Sequence, residues 1–128
     1  MKAKSFFYIV AISIFVFGCE KYDGSNTIVG IWQCKEITSN GIYKVYDVSI
    51  EPDGKNDSTR FWVFNFYNVG MDFKTLISLD DSTFTILSSN YSQYNIQGTG
   101  KFHKKPFSID WVYSISGDPN VQAHFEKP

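Results

Sequence analysis

The sequence predicts an all-β domain, an antiparallel up-and-down meander of about eight strands that forms a small barrel. Segments rich in β-branched and aromatic residues alternate with turn signals at a spacing of roughly 10 residues. Inside several of these segments, apolar and polar residues alternate with the period of a half-buried strand. After the N-terminal segment, no stretch has the helical period. A flattened two-sheet sandwich is the alternative, because short hairpins build that fold as well.

The turn signals define the boundaries of the expected strands. They are clusters of Gly, Asn, Asp, Ser and Pro, such as S-N-G at 39–41 and D-D-S at 80–82. These residue types adopt tight-turn conformations at low cost. The segments between the turns are the expected strands, which cover residues 29–38, 42–51, 59–68, 71–79, 82–87, 93–102, 107–116 and 120–126.

Period-two alternation also predicts which residues face the barrel interior. In the seventh segment, Trp111 and Tyr113 share one face. In the sixth, Gly98 and Gly100 hold alternate positions of the inward face, which leaves room for a bulky neighbour. An eight-stranded barrel is just wide enough for side chains to fill it. The large rings expected to point inward include Trp32, Phe64, Trp111 and Phe125.

The N-terminal residues are typical of a secretory signal peptide, expected to cover residues 1–18. Lys2 and Lys4 precede an apolar run of roughly a dozen residues, whereas a transmembrane helix needs about 20. V-F-G-C at 16–19 resembles the lipobox of bacterial lipoproteins, whose cysteine receives a diacylglycerol. The resemblance implies that Cys19 carries lipid, with acyl chains such as palmitate, and that residues 19–27 form a flexible tether to one domain at 28–128. Glu20, in place of an aspartate after the cysteine, favours the outer membrane of the cell envelope.

Charge and cysteine content argue against other classes of protein. Without Lys2 and Lys4, about ten basic residues oppose 13 acidic ones, so the mature chain is slightly acidic. Nucleic-acid binding needs a concentrated cationic surface and is therefore not expected. With Cys19 lipidated, Cys34 has no partner for a disulfide within the chain. Cys34 is expected to be a small buried apolar residue.

Several short motifs occur in an order similar to that of a known family. They are G-I-W at 30–32, N-F-Y-N-V-G at 65–70, G-T-G at 98–100 and I-D-W-V-Y at 109–113. These motifs resemble the lipocalin-like lipoproteins of unknown function that are common in Bacteroidetes. The resemblance implies a barrel-like fold, a cell-envelope location and no catalytic residues. Lipocalins also place a basic residue late in the barrel against the opening tryptophan, whereas Arg60, the only arginine, lies early in this chain.

No enzyme, metal or cofactor chemistry is expected from the sequence. A metal site needs several convergent ligands, but His103 is expected in a turn and His124 on a separate, solvent-facing surface. The acidic segment 51–57 departs from the spacing of a calcium-binding loop and is expected to be a solvated hairpin loop. No G-x-S-x-G nucleophile motif is present.

Two functions remain open at this point, both for a lipoprotein held to a membrane. The first is a binding module for a small apolar ligand or a glycan, with Trp62, Tyr67, Tyr91 and Tyr94 as stacking contacts. The second is an accessory lipoprotein that docks onto a larger envelope protein complex. Segment 61–67 favours docking, because it is apolar on both faces and is either a doubly covered strand or an exposed aromatic patch. A hydrolase of surface polymers is the least favoured function.

Overall fold

The computed structural model describes residues 27–54 and 58–128. The expected signal peptide, the lipidated Cys19 and all but the last residue of the tether lie outside the described residues, as do the last three residues of the acidic 51–57 segment. Within the described residues no helix is long and apolar enough to cross a membrane.

Eight antiparallel strands form a closed barrel in which each strand pairs with its neighbours in sequence. β8 pairs with β1 and thereby closes the sheet. The predicted all-β meander and its closure into a small barrel are confirmed, and the sandwich alternative is wrong. The strands are β1 Gly30–Ile37, β2 Tyr43–Pro52, β3 Arg60–Phe64, β4 Lys74–Asp80, β5 Thr83–Ser89, β6 Ile96–Lys104, β7 Phe107–Ile115 and β8 Asp118–Glu126.

The third strand is shorter than the sequence predicted. It was expected over 59–68 but ends at Phe64, and a 3-10 turn, Phe66–Asn68, follows. Asn65 starts this departure with a left-handed backbone (φ 80°), a conformation that asparagine tolerates better than most residues. The Asn65 side chain then holds the turn, because its amide donates to the Asp47 carbonyl at 2.8 Å and its oxygen accepts from the Gly70 N–H at 2.8 Å.

The alternation predicted the inward face correctly on most strands. Trp111 and Tyr113 are buried in β7, and Phe125 is buried in β8. The prediction that Phe64 points into the barrel is wrong. The buried residues of β3 are Phe61 and Val63, so period-two alternation places Phe64 on the outer wall. Trp62 lies on that outer wall as well, which explains why this strand looked apolar on both faces.

Large rings fill the barrel interior. The Trp111 ring centroid lies 5.1 Å from that of Phe66, 5.7 Å from that of Phe84 and 5.6 Å from that of Phe125. A methyl group on Gly100 would lie 2.7 Å from Trp111 Cε3, so only glycine leaves space for this ring. The expectation that alternate glycines admit a bulky neighbour is therefore confirmed at Gly100, and the central space is packed core rather than a ligand cavity.

Candidate functional site

The two ends of the barrel differ, and one of them is closed. We call residues 65–73 the plug, because this segment between β3 and β4 covers that end. Phe66 and Phe73 of the plug have no exposed surface. Tyr91 and Tyr94, from the loop between β5 and β6, pack on Phe73 with ring centroids 6.1 and 5.3 Å away. At the plugged end, rings of the plug and of the β5–β6 loop therefore cover the packed interior.

A buried carboxylate joins the plug to the barrel wall. Glu36 faces inward with no exposed surface and accepts hydrogen bonds from the hydroxyls of Tyr46, at 2.7 Å, and Tyr113. The Tyr46 hydroxyl in turn accepts from the backbone N–H of Tyr67 in the plug at 2.9 Å. Burial raises the pKa of Tyr46 and Tyr113 well above the ordinary range, so both hydroxyls remain donors. Glu36 was not among the functional residues predicted from the sequence, although period-two spacing from Trp32 places it on the inward face.

A second polar cluster connects the plug to the turn after β1 and to the start of β8. The Tyr67 hydroxyl donates to Asp118 Oδ2 at 2.8 Å, and the backbone N–H and hydroxyl of Ser39 donate to Asp118 Oδ1. Although burial acts to raise it, these hydrogen bonds hold the pKa of Asp118 below its ordinary value. The Lys44 ammonium lies 3.8 Å from the Tyr67 ring centroid and 3.9 Å from Glu36 Oε2. Hydrogen bonds and a cation–π contact therefore hold the plug in place at this end of the barrel.

The opposite end carries an open pocket of about 500 Å³. We call it the open-end pocket. It lies where the chain enters β1 and where β6 turns into β7. The described residues of its lining are mostly apolar, with one charged side chain among them; they are Thr27, Ile28, Val29, Phe61, Phe102, Lys104 and Phe107. A volume of this size falls within the range of small-molecule sites, roughly 300–1,000 Å³.

Trp32 forms the support beneath this pocket. Its ring stacks on Phe107 with centroids 5.3 Å apart, and its indole N–H donates to the Ile28 carbonyl at 2.8 Å. The Lys127 ammonium lies 4.7 Å from the Trp32 ring centroid and donates to the Val29 carbonyl at 3.1 Å. Burial lowers the pKa of Lys127. These contacts fix the segment that enters β1 and so give the pocket a defined wall.

None of the four aromatic residues expected to contact a ligand lines the open-end pocket. Trp62 lies on the outer wall, where its indole N–H donates to Asp53 Oδ1 at 2.8 Å and Lys74 lies over its ring. Tyr67 lies in the plug, and Tyr91 and Tyr94 pack over Phe73 at the plugged end. The structure therefore distributes the four residues over three places. The residues that do line the pocket were missed, because they come together only when β1, β3, β6 and β7 meet.

The two histidines are closer together than expected. His103 lies in β6 rather than in a turn, and both rings contact Asp110: His103 Nε2 at 3.1 Å and His124 Nδ1 at 2.6 Å from its oxygens. The expectation that they occupy separate places was therefore wrong. Across residues 27–54 and 58–128, no group of three or more His, Cys, Asp or Glu side chains is arranged to hold a metal ion.

Cys34 is buried and carries a free thiol. Burial raises its pKa to about 12, which keeps the thiol protonated at neutral pH. The prediction that Cys34 is a small buried apolar residue is confirmed.

The strand order, the closure and the packed interior define the molecule as a small antiparallel β-barrel. No protein-family model matches the sequence. No curated protein matches it either. Among solved structures, the chain is similar to a redesigned beta barrel, b11L5F_LGL, with a TM-score of 0.58 and 12% sequence identity. The match covers 79% of this chain and 91% of that one, and at this identity it shows the fold alone.

Proposed function

We propose that this protein is a non-enzymatic lipoprotein of the bacterial outer membrane that binds a small apolar ligand in its open-end pocket. The observation that carries the proposal is the pocket itself, about 500 Å³ lined mainly by Ile28, Val29 and three phenylalanines. Burying an apolar ligand against such a lining is favourable in proportion to the area removed from water. The packed interior supports placing the ligand at this end rather than inside the barrel.

The position of the pocket relative to Cys19 supports a ligand drawn from the membrane. Thr27, the first described residue, lines the pocket. The chain between Cys19 and Thr27 spans at most about 28 Å when fully extended, at roughly 3.5 Å per residue. A lipid anchor on Cys19 therefore keeps the open-end pocket close to the bilayer surface, where apolar molecules are concentrated.

The contact between Lys127 and Trp32 supports the finer, lipocalin-like classification. The resemblance implied a late basic residue against the opening tryptophan, and Arg60 lies too early to supply it. Lys127 follows β8 and lies over the Trp32 ring at 4.7 Å. Lys127 thus supplies the late basic residue against the opening tryptophan that the resemblance implied.

The anchor is tested by replacing Cys19. We expect Cys19→Ala to abolish incorporation of labelled palmitate and to release the protein from the membrane fraction, because the acyl chains supply the whole attachment. Cys34→Ala is the matched control and should keep both the label and the membrane association. A Cys19→Ala protein that stays firmly membrane-bound would show that the signal peptide remains uncleaved and that the lipoprotein proposal is wrong.

The ligand site is tested by native mass spectrometry and by binding to a panel of lipids and glycans. We expect an apolar ligand to be retained by the wild-type chain and by Val45→Asp, which changes an outer-wall valine that is 51% exposed. Val29→Asp, at a valine in the pocket lining that is 38% exposed, should lose it, since it places a charge among apolar groups. Absence of any ligand from the wild-type chain, or retention by Val29→Asp, would count against the proposal. Binding of glycans but of no apolar compound would show that the ligand site is not the open-end pocket.

A second function, docking onto an envelope protein complex, is favoured by the outer wall. At the hairpin between β1 and β2, four apolar side chains are between 48% and 61% exposed: Ile37 at the end of β1, Ile42 in the turn, and Tyr43 and Val45 on β2. Contiguous exposed apolar groups of this kind are typical of interaction surfaces. Trp62 and Phe64, from the strand that first suggested docking, are only half-buried on another part of the wall.

Site-specific photocrosslinking in cells distinguishes docking from ligand binding. A crosslinker at Tyr43 should capture one recurrent partner if the protein docks through this hairpin, whereas a crosslinker at Thr85, exposed on the β5 wall, should not. Only scattered products from both positions would eliminate docking through this surface.

A further inference from the structure

Lys104 gives the open-end pocket a specific electrostatic character. It is the charged residue in a lining otherwise made of Thr27 and apolar side chains. Its ammonium group makes no hydrogen bond or ion pair with any residue in the described part of the chain, 27–54 and 58–128. An unpaired cation at the edge of an apolar pocket favours a ligand that carries both an anion and an apolar part.

The neighbouring charges leave this cation uncompensated. Among the described residues, no carboxylate lines the pocket. On the adjoining wall, Glu126 is engaged by Lys35 at 2.7 Å, and Asp110 is engaged by two histidines. Lys105, the next residue in the same turn, is exposed and adds a second positive charge to this side of the opening.

The apolar part of the pocket suits a single flexible chain. Phe102 and Phe107 meet edge to face with ring centroids 5.2 Å apart, and Phe61 contributes a third ring to the lining. Lys104 ends β6 and pairs with Phe107 across the turn, so the cation and the rings of Phe102 and Phe107 belong to the same hairpin, whereas Phe61 comes from β3. A chain lying against the rings would therefore bring a terminal anion to the ammonium group.

We propose that the ligand of the open-end pocket is a single-chain anionic amphiphile, a carboxylate with an acyl tail, held by Lys104 at its head and by Phe61, Phe102 and Phe107 along its tail. This inference rests on the proposed ligand-binding function and adds the charge of the ligand to it. It makes Lys104 the specificity-determining residue, while the phenylalanines supply most of the affinity.

The test compares three probes with the same tail: dodecanoate, dodecanol and dodecyltrimethylammonium, each below its micellar concentration at pH 8. The Cys19→Ala protein released from the membrane fraction is used, so that no detergent competes for the pocket. Binding is followed by tryptophan fluorescence, since Trp32 stacks on Phe107 of the lining, and by isothermal titration calorimetry. We expect dodecanoate to bind at least fivefold more tightly than dodecanol, and the cationic probe to bind most weakly.

Variants at two adjacent lysines locate the charge preference. Lys104→Gln should bring dodecanoate and dodecanol within twofold of each other without weakening dodecanol, whereas Lys104→Arg should keep the preference. Lys105→Gln, the matched control in the same turn, should keep it as well. Shortening the dodecanoate tail should lower the affinity by up to about fourfold for each methylene that leaves the pocket.

The outcomes separate this inference from the function on which it rests. Equal binding of the three probes, or a preference that survives Lys104→Gln, would overturn the anionic ligand and leave an apolar-ligand pocket standing. An equal loss of preference in Lys104→Gln and Lys105→Gln would also overturn the role of Lys104, because it would show only a general surface charge. Failure of all three probes to bind the folded wild-type barrel would overturn both proposals.

Discussion

Replacing Gly100 with alanine places a methyl group against the ring of Trp111. The new Cβ would lie 2.7, 2.8 and 2.9 Å from three ring atoms, where ordinary contact begins at 3.4 Å. The ring must therefore move by about 0.7 Å. It has no free direction, because Trp111 is 1% exposed and already in contact with Phe66, Phe84 and Phe125.

Two opposing effects decide the magnitude of the change at Gly100. Overpacking a well-filled core costs about 1–3 kcal/mol. Alanine also restricts the unfolded chain, which stabilises by about 0.4–1 kcal/mol where the backbone conformation is compatible. Steric overlap is the larger effect, so we expect a net loss of about 1–2 kcal/mol. For a domain of this size, each kcal/mol corresponds to a decrease in Tm of roughly 4–8 °C.

Urea unfolding of four proteins measures the effect: wild type, Gly100→Ala, Trp111→Leu and the double variant. In the double variant the smaller leucine leaves room for the methyl group, so the cost of Gly100→Ala should fall by at least about 1 kcal/mol. A single variant that loses less than about 0.5 kcal/mol would refute the reasoning. So would a loss of the same size in the Trp111→Leu background.

Further predictions concern one buried hydroxyl and one buried carboxylate. The Thr75 hydroxyl has no exposed surface and no hydrogen-bond partner in the part of the chain that the structure describes, so Thr75→Val should raise the unfolding free energy by about 1–2 kcal/mol in urea titration. Asp118 has a pKa below its ordinary value of 3.8 in the folded protein. Its stabilising contribution is therefore fully present above pH 3.8 and is lost as pH falls through the lower folded pKa. Asp118→Asn should lower stability at pH 7 and converge towards the wild type in acid, as measured by urea titrations at successive pH values.

The control for Thr75→Val comes from the neighbouring strand, and the control for Asp118→Asn comes from a residue that contacts Asp118. Thr85→Val changes an exposed threonine and should leave stability within about 0.5 kcal/mol, and a Thr75→Val protein no more stable than this control would contradict the first prediction. Ser39→Ala removes one of the two side-chain donors to Asp118 and should show the same pH trend to a smaller degree. A difference between wild type and Asp118→Asn that stays constant from pH 7 to strong acid would contradict the second.

Local patterns predicted the barrel because strand identity depends on neighbouring residues. Period-two alternation found Trp111 and the glycines beside it, since both sides of that contact lie on regular strands. Phe64 was assigned to the wrong face because its strand is apolar on both faces, so alternation gave no signal there, and the strand ends at Phe64, directly before the left-handed Asn65. The N-F-Y-N-V-G motif at 65–70 coincides with the first part of the plug, but its role as a plug depends on contacts with strands that are distant in sequence.

The candidate site was harder to predict than the fold. The open-end pocket combines Val29, Phe61 and Phe107 from segments far apart in the chain, and no short motif records such a meeting. Aromatic side chains were an incomplete guide, because Tyr67 and Trp62 satisfy their polar atoms on nearby carboxylates. Glu36 was visible in the alternation as a charged residue at an inward position. A charged residue at an inward position is therefore the sequence signal for the polar contacts at the plugged end.

The hydrogen bonds of the plugged end connect residues that are remote in sequence, which has a consequence for how the chain folds. Glu36 and Tyr113 are 77 positions apart, and Ser39 and Asp118 are 79 apart. Neither bond is available until β8 has joined β1. The entropic cost of loop closure therefore opposes folding before these contacts can stabilise the barrel. Folds dominated by such distant pairings form in milliseconds to seconds rather than microseconds. The plug is accordingly expected to become ordered last, in one cooperative step that also completes the barrel.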